Sequence, residues 1–275
     1  MTAPRASVPR VPIDALRPED FRAHFAARAP IVITGLPVDP AQWSAPALGA
    51  ALGDAPLPVT RFEGRTTGHG TRFESLGRES LTMRWGEFLA ARDACAEHAL
   101  YLRLTASAGL SEGLFARVPL PDLFTAAHTG LDGWITHDSY LRVGPSSYRY
   151  PLHCDGMENL FAQLAGEKRF VLIDPAEVPR LYPHPDDAAR SLVNDVDGPD
   201  LLRFPDFADV RQQVCTVGPG DLLYIPALWF HEVRATGWSA SASRYFKRPR
   251  HSEYLRGVKP PAWLEFEAAR GSARY

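Results

Sequence analysis

Apolar and polar positions divide the chain into a mixed helix-and-strand N-terminal region and a long succession of short strands. Pro18-Glu19-Asp20 precedes Phe21 and Phe25, the spacing of one helical face, and predicts a short helix that begins near Pro18 and is closed by Pro30. Ile31-Val32-Ile33-Thr34 followed by Gly35 has the pattern of a buried strand and a turn. Residues 1–12 read as a loose leader ending in a short strand or turn. Residues 36–72 carry Pro and Gly with little periodicity, and an irregular helix over 41–52 and a strand over 59–62 are expected there. Trp85, Phe88 and Leu89, extended by Cys95 and Ala96, share one helical face and predict a helix over 82–98. Arg92 interrupts that face, which a long arginine stem lying along apolar surface tolerates.

From residue 99 the texture changes. Short apolar runs at 99–104, 139–143, 160–164, 169–173, 213–217, 221–225, 231–234 and 239–246 are separated by Gly, Pro or Asp-bearing turns. Many short strands with such punctuation predict an antiparallel sandwich or barrel rather than alternating βαβ units. Residues 174–212, rich in Pro and Asp, form the large insertion between strands, and 260–270 is a candidate helix. The expected organisation is one structural domain. In it, a mixed α/β region over 1–98 packs on a β core over 99–250, followed by a short extension over 251–275.

Composition adds exclusions. The chain has 275 residues, 45% of them apolar and 23% charged, with a formal net charge of -2, which excludes a coat of positive charge but not a local basic groove. No run approaches the roughly 20 apolar residues of a membrane-spanning helix, so no membrane partner is expected. The first twenty residues lack the apolar run of a secretion signal, and the three cysteines, Cys95, Cys154 and Cys215, form no CxxC pair. A reduced, cytoplasmic protein is expected.

The chemistry concentrates in one stretch. His153 and Asp155 stand two apart, so on an extended segment their side chains point the same way. His231 ends the run Pro226-Ala227-Leu228-Trp229-Phe230-His231. Two imidazoles and one carboxylate on one face of a metal make the facial triad of non-haem Fe(II) oxygenases, with positions left open for cosubstrate and oxygen. In a chain with nine histidines a lone HxD pair also arises by chance, as a hydrogen-bonded histidine beside a turn aspartate.

The block from Tyr150 to Pro175, with Val217-Gly-Pro-Gly-Asp221-Leu-Leu-Tyr224-Ile-Pro226 and the run to His231, resembles the Jumonji C and cupin-like hydroxylases. Within them it is most similar to the hydroxylases of wybutosine in tRNA and of an asparagine in hypoxia-inducible factor. The resemblance spans roughly residues 10–250 and is densest from 139 to 247. It implies a mostly β fold with flanking helices, the double-stranded β-helix or jelly roll, and a dioxygenase using Fe(II), 2-oxoglutarate and O2. By position, His153, Asp155 and His231 match the iron ligands. Lys168 matches the lysine that pairs with the distal carboxylate of 2-oxoglutarate, Tyr101 the tyrosine that reaches the same carboxylate, and Asn159 a polar position near the cosubstrate. On residues alone, Lys168 also reads as a turn lysine with a solvated tip, Tyr101 reads first as a core tyrosine on a strand, and Asn159 reads equally as a turn or strand-edge amide. Ser239, Ser241 and Ser243 share one strand face, and Ser243 matches a position where the family often has asparagine. Tyr150 departs from the threonine of the asparagine hydroxylase; its ring either supplies a hydroxyl from farther away or narrows the entrance. Trp229 and Tyr224 could line the pocket but read more readily as core, and Cys154, between two ligands, is expected to point away from the metal.

The reaction implied is hydroxylation of a C–H bond, with a protein or peptide side chain, or an amino-acid-like molecule, as the favoured substrate. The alternatives are a modified tRNA base, a small molecule, N-methyl demethylation, or a catalytically silent cupin-like binding protein. Arg244, Lys247, Arg248 and Arg250 offer a positive run that RNA phosphates could contact, although such runs are often solvated edges. Trp263, Leu264 and Phe266 either cap the domain's own sheet or form a small dimer contact, so monomer and homodimer are both expected states.

Overall fold

Two strands of 16 and 18 residues, Glu158–Ile173 and Phe230–Lys247, run side by side through the molecule and organise everything else. The computed structural model describes residues 5–63, 78–92, 98–105, 113–144, 147–185 and 187–270. In chain order the strands are β1 (Arg5–Ser7), β2 (Arg10–Pro12), β3 (Ile31–Thr34), β4 (Leu57–Glu63), β5 (Arg78–Met83), β6 (His98–Thr105) and β7 (Ile135–Val143). They continue as β8 (Ser147–Cys154), β9 (Glu158–Ile173), β10 (Pro183–His184), β11 (Asp187–Ser191), β12 (Gln212–Val217), β13 (Leu222–Ile225) and β14 (Phe230–Lys247).

The first half of β9 pairs with β13 and its second half with β12. Likewise β14 pairs with β8 through its first half and with β7 through its second. Each long strand therefore serves two sheet faces in turn, which closes a jelly roll around a central cavity. Beyond β7 the path continues through β6 and β4 to β5, and beyond β13 through β3 to β2. The N-terminal strands are thus laid into the same hydrogen-bonded system as the core, and the leader itself supplies β1 and β2.

The expected breaks at 165–168 and 235–238 are bends within continuous strands. Gly166 at φ +67° and Gly237 at φ +80° take up the turn, and the register shifts between Thr236 and Ala240. At Gly166 a Cβ would lie 1.8 Å from the carbonyl oxygen of Trp238, so no side chain fits. The expected helix over 82–98 is likewise corrected. Residues 78–83 pair with β4 as β5, the helix is confined to Trp85–Ala91, and His98 opens β6. The Glu87 carboxylate accepts from the Arg84 backbone N–H at 2.7 Å, which fixes the helix start. Cys95 and Ala96 lie outside the described residues. Arg92 stacks its guanidinium 4.8 Å from the Trp238 ring centroid, so the interruption is a packing contact.

Helices Pro18–Ala26, Ala45–Leu52 and Trp85–Ala91 cover the outer side of one sheet, burying Phe21, Phe25, Leu48, Trp85 and Phe88 against Leu102, Leu141, Tyr224 and Phe246. A second cluster joins Leu152, Cys154, Val171, Phe207 and Phe230 to Trp263 of the C-terminal helix Pro261–Arg270. Trp263 is fully buried, 5.7 Å from the Phe230 ring, so the tail caps the domain's own sheet, while Leu264 remains exposed. A further helix, His251–Val258, precedes it. The insertion 174–212 carries two short 3-10 turns and the pair β10–β11, and Arg190 on β11 pairs with His153 on β8. Among the described residues no helix is long and apolar enough to cross a membrane.

Candidate metal centre

His153 and His231 are register partners on β8 and β14, so the sheet itself sets their imidazoles together, 4.3 Å between ring centroids. Asp155 lies one residue past the end of β8. The backbone N–H of Leu228 donates to its carbonyl oxygen at 2.7 Å, tying it to the turn that leads into β14. One ligand atom from each of the three side chains falls within 4.8 Å of the others. Nδ1 of His153 stands 2.8 Å from the Pro151 carbonyl oxygen, and Nδ1 of His231 stands 3.0 Å from that of Trp229. A carbonyl can only accept, so each Nδ1 carries the proton and each Nε2 keeps its lone pair for a metal.

Electrostatics agree. Burial, with His231 as a neighbour, pushes His153 down to about 3, so the ring is neutral at physiological pH. Burial alone would raise Asp155, but His153, His231 and Arg142 hold it below the usual carboxylate range. Two imidazoles and one ionised carboxylate, all on one side, fit Fe(II) with open positions.

The triad forms part of the wall of a cavity of about 330 Å³, and the structure brings Tyr101, Tyr150, Asn159, Lys168 and Ser243 to the same wall. Lys168 is 4% exposed, and its Nζ donates to Ser241 Oγ at 2.8 Å. Among the described residues no carboxylate pairs with it. Burial, and secondarily Arg142, pushes it down to about 7. Asn159 Oδ1 and Ser243 Oγ are buried without a hydrogen-bond partner. A buried cation without a counter-charge and an orphaned hydroxyl that can donate, that of Ser243, are what a dianionic cosubstrate would satisfy. Burial pushes the Tyr101 hydroxyl up to about 12, so it remains a donor. The Tyr150 ring lies 4.6 Å from that of His153, beside the triad. Of the three serines on one face of β14, Ser239 accepts from Gln163 and Ser241 from Lys168, leaving Ser243 as the unpartnered one. Trp229 and Tyr224 are buried in the core, and Cys154 belongs to the second apolar cluster, where burial raises its thiol.

Two wall residues escape a reading of motifs. The Tyr245 hydroxyl donates to Asp155 Oδ2 at 3.1 Å and accepts from Arg142 Nη2 at 3.1 Å. Their signal is period two. Tyr245 extends the face of Ser241 and Ser243, and Arg142 is the register partner of Ser241. Replacing Tyr245 by Phe removes the bond that orients Asp155; Fe(II) affinity is expected to fall about 10- to 100-fold, as read by anaerobic metal titration, and an unchanged affinity would refute the positioning role. The basic run is dispersed. Arg244 is half-buried, Arg248 packs over Trp134, and Arg250 lies 3.9 Å from Glu253.

Residues 18–252 match the family described as a cupin-like domain. The zebrafish (Danio rerio) protein named tRNA wybutosine-synthesizing protein 5 is 28% identical over 239 residues, 82% of this chain and 71% of that protein. Lysine-specific demethylase 8 of Danio rerio is 28% identical over 258 residues, 87% of this chain and 58% of its own length. Jumonji C domain-containing protein 5 of Drosophila melanogaster is 32% identical over 142 residues, 49% of this chain and 35% of that protein. The chain thus spans less than two thirds of the latter two.

Proposed function

The chain belongs to the cupin-like domain family, and from that premise we propose that it is an Fe(II)- and 2-oxoglutarate-dependent oxygenase that hydroxylates a C–H bond of a protein or peptide side chain. The observation that carries the reading is the triad of His153, Asp155 and His231 in one cavity with the unpaired Lys168. When bound, Fe(II) with 2-oxoglutarate and O2 supplies an oxidation that converts C–H to an alcohol and releases succinate and CO2.

The protein's share is binding and orientation. His153, Asp155 and His231 would hold the metal, with Pro151, Trp229 and Tyr245 fixing their attitudes. Lys168, Tyr101, Asn159 and Ser243 would hold 2-oxoglutarate, and Tyr150 would border the substrate side. The cavity, about 330 Å³, lies at the small end of ligand sites, roughly 300–1,000 Å³. That size favours a side chain over a bulky tRNA base. The alignment with the wybutosine protein over most of this chain supports the tRNA base as the second reading. Incubation with Fe(II), 2-oxoglutarate and O2 against peptide pools and tRNA separates the two readings. A peptide product one oxygen heavier, formed with equivalent succinate, is expected; oxygen appearing only on a tRNA nucleoside would overturn the side-chain assignment.

Lys168 makes cosubstrate binding proton-linked. In the free protein it titrates near 7, with Arg142 as the neighbouring charge, and a bound dianion raises it. Affinity for 2-oxoglutarate is therefore greatest below about pH 7 and falls, by up to about tenfold per pH unit, as pH rises toward the bound-state value. Titration of Fe(II)-loaded protein without oxygen, followed by its visible charge-transfer band, reads this slope. Lys168→Ala is expected to weaken binding and abolish the slope; a pH-independent affinity in the parent protein would remove Lys168 from the role.

A further inference from the structure

The same cavity holds more positive charge than the metal and cosubstrate residues account for. Arg103 on β6 and Arg142 on β7 are direct register partners, and both line the cavity. Like charges directly opposite on neighbouring strands repel. Here they flank one aromatic ring: the Arg103 guanidinium lies 3.6 Å and that of Arg142 5.2 Å from the Tyr140 centroid. Among the described residues no carboxylate forms an ion pair with either. Arg142 Nη1 is buried without a hydrogen-bond partner, while Nη2 is spent on Tyr245. The acidic groups on the cavity wall are committed elsewhere: Asp155 to the triad, and Asp187 to Arg190 at 3.0 Å.

A cross-strand arginine pair without a counter-ion, one member holding an idle buried N–H group, is a site for an anion. Resting on the oxygenase reading, we infer that Arg103 and Arg142 form the recognition subsite for a substrate carboxylate, so that the side chain presented to the metal is acidic or has an acidic neighbour. A guanidinium fork matches a carboxylate through paired N–H···O bonds. Arg142 is linked to Asp155 by hydrogen bonds through Tyr245, so an anion bound at its free edge lies beside the triad rather than at a remote surface. A methyl-lysine or arginine side chain would meet Arg103, Arg142 and Lys168 together. The wall therefore disfavours the cationic substrate in the name of the demethylase relative.

The test uses full-length protein loaded with Mn(II) in place of Fe(II) and with 2-oxoglutarate, titrated calorimetrically. Probes are blocked peptides with a central Asp or Glu, the same peptides with Asn, Gln or Lys, and free aspartate and glutamate. Carboxylate peptides are expected to bind at least about tenfold tighter than their amide isosteres. That contrast is expected to collapse in Arg103→Gln, an exposed position whose change leaves the core intact. Stronger binding of the free amino acids would identify a small molecule as the source of the carboxylate. Equal binding of amide and carboxylate, tighter binding of lysine peptides, a contrast that survives in Arg103→Gln, no binding of any acidic probe, or displacement of acidic peptides by a tRNA anticodon stem-loop at lower concentration would each overturn the inference. Carboxylate-selective binding without an oxygenated product would leave the subsite standing and remove the hydroxylation reading. An oxygenated product on uncharged peptides bound without selectivity would do the reverse.

Discussion

Alanine at His153, Asp155 or His231 is expected to bring succinate formation down to the level of metal-free protein. Each substitution removes one of three donors already held in place by the fold, and the remaining two cannot hold Fe(II) facially. The loss should exceed the roughly 10- to 100-fold that removal of an outer-shell partner costs. The two histidines are not equivalent in what else they do. His231 is 4% exposed on the central β14, so its removal leaves a small cavity as well as a missing ligand. His153 sits nearer the edge, between β14 and the short β11. His231→Gln, which keeps most of the volume, separates these effects: stability should recover and turnover should not. Succinate formation equal to the parent in any alanine variant, with the protein folded by circular dichroism, would sink the iron assignment.

The second large effect is on stability. The Glu158 carboxylate, fully buried at the start of β9, accepts from the hydroxyls of Tyr224 at 2.8 Å and Tyr254 at 2.7 Å and from the Ala227 backbone N–H at 3.0 Å. Arg28, just past the first helix, lies 3.7 Å away. One side chain thus ties together the first helix, β13, the turn before β14 and helix His251–Val258. Glu158→Ala leaves two hydroxyls, one amide and one guanidinium without their acceptor. Breaking such a buried pair costs about 3–5 kcal/mol, and a domain of this size loses roughly 2–4 °C of melting temperature per kcal/mol. Chemical denaturation of parent and variant checks the value, and a loss below about 1 kcal/mol would show that water replaces the carboxylate. Because the turn it anchors also holds Asp155 through Leu228, metal affinity should weaken alongside stability.

How much of this was legible beforehand depends on the range of the interaction. The strand Ile31–Thr34 and the helix from Pro18 follow from contiguous residues, and both stand where periodicity predicts them. His153, Asp155, Lys168, Asn159 and Ser243 were accessible because their spacing resembles a family pattern, and the cavity gathers them. The expected helix started too early, at residue 82, because Met83 fits a helix start as well as a strand; pairing with β4 decides it, and that partner is distant in sequence. Arg142, Arg103 and Tyr245 carry no motif. Their meaning arises from which strands lie side by side, information absent from any short stretch of chain.

The bend at Gly166 has a consequence for how far the chain can be altered. Before it, the cavity-facing positions of β9 are odd-numbered, Asn159 and Phe161; after it they are even, Lys168 and Phe170. On β14 they stay odd, from His231 and Val233 to Ser243 and Tyr245. The single residue by which β9 changes parity is thus a spacer that lets one strand turn a corner while still aiming both halves inward. Loss of this one residue would return β9 to uniform alternation and straighten it. Its two halves could then no longer serve β13 and β12 at once. The active-site geometry is therefore written partly as a count of residues, and an otherwise silent frame-preserving deletion there should disable the protein more completely than most substitutions in the cavity.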